Sequence, residues 1–153
     1  MANKCRNKKI VLASGVFDLL HLGHVRFLEE AKRQGGKDAE LLVVIARDNT
    51  VEKMKGRKPI MSEDQRRALV ESLKVVDEAV LGFEDFDIGD VIEKIKPDVI
   101  ALGYDQTSME QQVREYVNTH NLDIRVLGIR KFEEDALHSS SKIRQKIVAD
   151  LER

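Results

Sequence analysis

Short, uninterrupted apolar runs alternate along this chain with segments in which apolar residues recur every three or four positions. Lys9–Ser14 and Glu40–Ala46 are rich in Val, Ile and Leu without polar alternation, the pattern of strands buried on both faces of a parallel sheet. Between them, Val25, Leu28 and Ala31 share one helical face over Leu22–Gln34, which stops at Gly35 and Gly36, a glycine stop signal. The opening unit therefore reads as βαβ. Ser62 and Gln65 form a capping-box pattern at the head of a helix over Ser62–Lys74, with Ala68, Leu69 and Leu73 on one face. Ala79–Leu81 reads as a short strand, and Ile88, Val91, Ile92 and Ile95 as a helix that Pro97 closes before the strand Asp98–Leu102. A second capping pattern, Ser108 with Gln111, precedes Val113, Tyr116 and Val117. Asp123–Leu127 is strand-like, and Ile143, Ile147 and Leu151 stripe a last helix.

Five strands and five helices in this order predict an α/β fold: one Rossmann-like, doubly wound sheet of five parallel strands. It is expected to occupy residues 1–153 as a single domain, with residues 1–8 a flexible leader. Ligands in such folds bind beyond the carboxyl ends of the strands, so the chemistry is sought just after each one. The basic interval Val51–Ile60, punctuated by Gly56 and Pro59, reads as a mobile loop rather than a packed helix.

Composition narrows the classes of function. The 153 residues hold 26 Lys+Arg against 27 Asp+Glu, a formal charge of -1, so no global basic field exists to grip nucleic acid and any anion site must be local. The longest apolar stretches, Ile10–Ala13 and Leu41–Ala46, are far short of the roughly 20 residues needed to span a bilayer. The charged N-terminus lacks the apolar core of a signal peptide, which predicts a cytoplasmic protein. The lone cysteine, Cys5, has no partner for an internal disulfide and is given no role.

The densest polar cluster follows the first strand, at Gly15-Val16-Phe17-Asp18-Leu19-Leu20-His21-Leu22-Gly23-His24. A helix start offers unpaired N–H groups and the positive end of a dipole, and Gly23 removes the Cβ that would hold a phosphate off the backbone. The spacing is neither the dinucleotide fingerprint nor the P-loop. Two histidines three apart can also share a metal ion, although no Cys or third His lies near in sequence to complete a site, or they can simply satisfy backbone groups at the helix start. Lys53, Lys55, Arg57 and Lys58 follow the second strand; beside a phosphate site such cations could close over a polyphosphate and neutralise charge as it breaks. Tyr104 and Asp105 follow the fourth strand and Arg130 the fifth. Asp105 suits a sugar hydroxyl or a base amine, and Arg130 an anionic substrate. Ser139, Ser140 and Ser141 open the last helix, one more hydroxyl pair than simple N-capping requires.

GVFDLLHLGH at 15–24 with HSSSKIR at 138–144 resembles the HxGH nucleotidyltransferase superfamily, whose members carry GxFDxxHxGH and a C-terminal SSSxIR-type motif. The resemblance spans nearly the whole chain. Within the superfamily, ARDNTVEKMKGRKPIMSEDQRRALVESLKVVDEAVLG, followed by LGYDQ and LHSS, most resembles the archaeal FAD synthases, single-domain FMN adenylyltransferases related to glycerol-3-phosphate cytidylyltransferase. The resemblance implies that His21 and His24 contact nucleotide phosphates, with His24 stabilising charge at the α-phosphorus and on the leaving pyrophosphate. It implies a nucleotide pocket shaped by Gly15, Val16, Phe17, Asp18 and Gly23, a triphosphate bracketed by Lys55 and Lys58, and support from Arg66 on the substrate side. Asp105 would lie near the nucleoside, Ser139, Ser140 and Ser141 would receive the β- and γ-phosphates, and Arg130 would hold substrate phosphate.

The same resemblance implies ATP and FMN as substrates, transfer of AMP to give FAD and pyrophosphate, a divalent metal such as Mg2+ held by the nucleotide phosphates, and a homodimer. The segment RKFEEDALHSSS departs from the RTEGxSTT pattern of related cytidylyltransferases, which favours a different acceptor; Tyr104, Phe132 and Leu137 are the candidates to hold a flavin ring. Two other readings stay open. One is a CTP-dependent enzyme acting on glycerol-3-phosphate or another small phosphorylated alcohol, and the other is a non-catalytic nucleotide sensor.

Overall fold

The computed structural model of the protein describes residues 7–84, 87–132 and 139–153; Cys5, Leu137 and His138 lie outside them. The elements, in order, are β1 (Ile10–Gly15), α1 (Leu22–Gly35), β2 (Glu40–Ile45), α2 (Asp48–Lys55), α3 (Glu63–Glu71), β3 (Glu78–Leu81), α4 (Ile88–Ile95), β4 (Val99–Leu102), α5 (Thr107–Thr119), β5 (Arg125–Gly128) and α6 (Ser140–Leu151). The five strands pair in the order β3-β2-β1-β4-β5, all parallel. The expected doubly wound sheet is thus present.

Its core follows from the pleat, which sends successive side chains to opposite faces. Val11, Ala13, Leu41, Val43, Val99 and Ala101 meet Leu28 and Ala31 of α1 and Val70 of α3 on one face. Leu12, Val44, Ile100 and Leu102 meet Val91 and Ile92 of α4 and Val113 and Val117 of α5 on the other. Because both faces are covered, the strands carry no polar alternation, which is why their runs are legible in the sequence. Among the described residues no helix is long and apolar enough to cross a membrane.

Capping side chains set the starts of α3 and α4, one of them the expected Ser62. Ser62 caps α3, accepting from the Gln65 N–H at 3.4 Å, and Asp87 caps α4 by accepting from Gly89 and Asp90. Two expectations need correction. The interval from Val51 is not irregular throughout: α2 runs through Asp48–Lys55, with Val51 buried as its anchor. Gly56 does not break this helix but ends it, in the left-handed conformation at φ 72° that glycine adopts without strain. Six helices, not five, are therefore found among the described residues. Ser108 does not cap α5, which begins at Thr107. The Gln106 side chain accepts from the Gly103 N–H at 2.9 Å and its own N–H donates to the Gly103 carbonyl at 3.0 Å, so the turn after β4 closes early and Ser108 falls inside the helix.

The end of α1 sits tightly against the sheet. A Cβ on Gly35 would stand 2.4 Å from Val11 Cγ2 and 2.6 Å from Ala39 Cβ, and Val11 is fully buried. Gly35→Ala would add helix propensity worth about 1 kcal/mol, but overpacking a rigid core costs about 1–3 kcal/mol and should prevail. Urea unfolding of the variant is expected to show a lower midpoint with an unchanged slope; equal or greater stability would mean that α1 lifts freely from β1.

Candidate active site

In the order β3-β2-β1-β4-β5, the connections leaving β1 and β4 run to opposite faces of the sheet. A crevice must then open beyond the carboxyl ends of these adjacent strands. The cleft found there is lined by Gly15, Val16, Phe17, Asp18, His21, Gly23 and His24 from the β1–α1 connection. Lys55 of α2, Tyr104 and Asp105 after β4, Arg130 and Phe132 after β5, and Ser139, Ser140 and Ser141 at the head of α6 complete it. Residues more than a hundred positions apart in sequence thus share one wall.

The β1–α1 connection is wound against its preference. Phe17 and Leu19 take φ values of 55° and 52°, a region costly for residues with a Cβ and tolerated where the surroundings fix it. The Phe17 ring supplies that fixation: it is 4% exposed and lies where a Gly15 Cβ would stand, 2.8 Å from Phe17 Cε2. The same ring lies against His24, centroids 5.3 Å apart. His24 in turn stacks on His21 at 3.8 Å.

His24 has a defined protonation state. Its Nδ1 accepts from the His21 backbone N–H at 3.2 Å, so in the neutral ring the proton resides on Nε2. Burial first, and then the neighbouring His21 and Lys55, hold its pKa down at about 3 despite the opposing charge of Asp18. The ring is a neutral hydrogen-bond donor at the positive end of α1, suited to a phosphate oxygen and unsuited to taking up a proton.

The other end of the cleft is built from α6. Ser139 caps that helix, accepting from the Lys142 N–H, while the Ser140 hydroxyl donates to the Asp18 carbonyl. Arg144, one turn beyond Ser140, lines the cleft and pairs with Asp18 at 3.2 Å. It lies within the quoted HSSSKIR string, and its position four residues after Ser140, on the same helical face, is the signal that could have found it. Gln106 and Phe27 also line the cleft, as does Lys131, whose ammonium sits 5.2 Å from the Tyr104 ring centroid. Gln106 lies in the quoted LGYDQ string and Lys131 in RKFEEDALHSSS, whereas Phe27 carried no motif.

Two expected contributors lie elsewhere. Lys58 is exposed in the α2–α3 connection and is not part of the cleft lining. Arg66 is fully buried and has no face to offer a substrate. Its guanidinium donates to the carbonyls of Met61, Val16 and Ala46 at 3.0, 2.7 and 2.8 Å and pairs with Asp48 at 2.7 Å. It braces the floor of the cleft from behind. No cluster of three or more His, Cys, Asp or Glu groups able to hold a metal ion occurs among the described residues.

The cytidylyltransferase-like family model matches residues 12–146, from the middle of β1 into α6. The chain belongs to the cytidylyltransferase-like family. Members similar to it include the FAD synthase of Ferroglobus placidus, 52% identical over 140 residues, covering 92% of this chain and 88% of that protein. The FAD synthase of Aciduliprofundum boonei is 49% identical over 138 residues, covering 90% and 89%. Among solved structures, a lipopolysaccharide core biosynthesis protein from Thermoplasma volcanium is 42% identical with a TM-score of 0.73, covering 82% of this chain and 98% of that one. A pantothenate synthetase from Thermus thermophilus, 17% identical with a TM-score of 0.61 over 92% of this chain and 65% of that one, shares the fold. The family match takes in both the histidine loop and the serine-rich start of α6, the two segments whose meeting makes the cleft.

The state of His24 can be tested without any ligand. Because its folded pKa lies below the ordinary 6.5, the unfolded chain binds the extra proton first, and stability falls as pH drops below about 6.5. Between pH 7 and pH 5 the loss attributable to His24 is expected to be about 2 kcal/mol, while nitrogen NMR shows its ring still neutral with the proton on Nε2. A His24 resonance titrating near pH 6.5 would refute this account.

Proposed function

We propose that the protein is an FAD synthase: it transfers AMP from ATP to FMN, giving FAD and pyrophosphate. The observation that carries this reading is the neutral His24 donor at the start of α1, gathered with Lys55, Arg130 and the α6 serines around one cleft. The name of the similar archaeal proteins supplies the acceptor. Each group suits a step that handles phosphate charge and needs no proton abstraction.

In this mechanism an FMN phosphate oxygen attacks the α-phosphorus of ATP in line; the new P–O bond forms as the bond to the β-phosphate oxygen breaks, and pyrophosphate leaves. An anionic phosphate is already a nucleophile, so catalysis is positioning and charge stabilisation. His24 donates from Nε2 to the oxygens on which charge accumulates, and Lys55 neutralises the departing pyrophosphate. The free N–H groups of α6 and the Ser141 hydroxyl receive the β- and γ-phosphates. Arg130 holds the FMN phosphate. Tyr104, Phe27, Ile129 and Phe132, which line the same cleft, offer the flat, apolar surface that a flavin ring requires and a glycerol phosphate does not.

A divalent cation fits this site as the companion of the triphosphate. No three-ligand protein cluster occurs among the described residues, and the Asp18 oxygens are engaged by Ile60, Met61 and Arg144. When bound, Mg2+ would neutralise phosphate oxygens and set the conformation of the triphosphate.

Incubation with Mg2+, an equal mixture of ATP and CTP, and either FMN or glycerol-3-phosphate should yield FAD in the first tube and nothing in the second, identified by mass. CDP-glycerol alone would replace the acceptor and the base. His24→Ala is expected to lower turnover about 100- to 1000-fold while remaining folded, the usual cost of losing one positioned donor. Near-normal turnover would remove His24 from the mechanism.

A further inference from the structure

Asp18 belongs to the histidine loop, yet its bonds run to other parts of the chain. The residue is only 3% exposed. Oδ1 accepts from the Met61 N–H at 3.0 Å, and Oδ2 accepts from the Ile60 N–H at 2.9 Å and from Arg144 at 3.2 Å. Its carbonyl accepts from Ser140 Oγ. Ile60 and Met61 end the α2–α3 connection that carries Lys58, 42 and 43 residues further along the chain, and Ser140 and Arg144 lie 122 and 126 residues away in the first turns of α6. One residue therefore joins three separate segments: the histidine loop and the head of α6, which carry groups assigned above to the phosphates, and the connection that continues directly from α2, whose last residue is Lys55.

The carboxylate is suited to that work and poorly suited to touching a nucleotide. A carboxylate has about four acceptor sites; three are already filled, and the remaining negative charge would repel a triphosphate. Burial pushes the Asp18 carboxyl up, but the N–H groups of Ile60 and Met61 and the Arg144 guanidinium outweigh it and hold it below the ordinary range. It is ionised at neutral pH, and its charge is available to all three donors.

We propose that Asp18 is a positioning residue for nucleotidyl transfer: without touching the nucleotide, it locks the α2–α3 connection and the head of α6 to the histidine loop. Lys55 beside that connection, Ser141 at the head of α6 and His24 then address one triphosphate together. The kinetic part of this inference rests on the nucleotidyl-transfer reading above; the linkage of the three segments does not.

Asp18→Asn tests both parts, because an amide of the same size keeps one acceptor and loses the charge that pairs with Arg144. In the substrate-free protein, amide hydrogen exchange at Ile60, Met61, Lys142 and Ile143 is expected to quicken at least about 10-fold, while core amides of β1 and β4 stay protected. In assays, KM for ATP is expected to rise about 10-fold with KM for FMN changed less than about 3-fold, a split that general loss of structure would not give. Freed Ile60 and Met61 amides with unaltered exchange in α6 would overturn the linkage, and an unaltered KM for ATP would overturn the positioning role. Should the variant fail to fold, Ser140→Ala removes the α6 arm alone: it should raise KM for ATP and quicken exchange in α6 while Ile60 and Met61 stay protected, and wild-type values in both would refute the proposal. If the wild-type protein makes no FAD, the proposed reaction falls, and the exchange measurements alone decide the linkage.

Discussion

A guanidinium that cannot reach water and cannot lose its charge dictates where its neighbours stand. Arg66 is such a group. Taking it out of solvent is costly unless every direction is answered, and the answers are the carbonyls of Val16, Ala46 and Met61 and the carboxylate of Asp48. These lie just after β1, just after β2, just before α3 and at the first position of α2. The two loops that leave the centre of the sheet are therefore fixed to each other through one buried cation. Asp48 is itself held from a second side, since Glu63 accepts from its N–H at 2.7 Å while also pairing with Arg47. Above this brace, the histidine loop can adopt an unfavourable backbone and still have one geometry.

The electrostatic design divides labour by charge state. On the α1 side His24 is neutral, and the cationic side chains Lys55, Arg130 and Arg144 line the same cleft. A protonated His24 would compete with Lys55 for the same oxygens and would add repulsion to an empty, already cationic site. A neutral ring donates without that cost. It also leaves the site without a strong base, which agrees with a nucleophile that arrives already ionised. Among the described residues, the acidic groups of the lining are Asp105 and Asp18, the latter paired with Arg144.

Much of this was readable from residue order, and the failures share a cause. The strand runs and the α1 periodicity survived because both report burial, which the final fold preserves. The GVFDLLHLGH string placed the cleft because a loop between a buried strand and an amphipathic helix has one place to be in a parallel sheet. What could not be read were choices settled by partners distant in sequence. Gly56 looks like an interruption until its left-handed φ is seen closing a helix anchored by Val51. Ser108 looks like a cap until Gln106 closes the preceding turn first. Arg66, which the resemblance puts on the substrate side, is taken behind the cleft by the meeting of three loops over it and is the largest fully buried side chain among the described residues. Lys58 follows Lys55 by three residues, but the helix ends between them, so the two point to different surroundings.

The order in which the cleft's walls occur along the chain has a consequence for how the protein is made. β1 sits at the centre of the sheet, paired with β2 on one side and with β4 on the other, and Asp98, which bonds the first residue of β1, comes 88 positions later. During synthesis, β1, α1, β2 and β3 can assemble as soon as they emerge, with α1 and α3 covering one face. The opposite face stays bare until α4 and α5 arrive, and the serines at the head of α6 follow β5. A chain that has reached only β3 therefore already carries His21 and His24, while the wall of the cleft that α6 supplies is still missing.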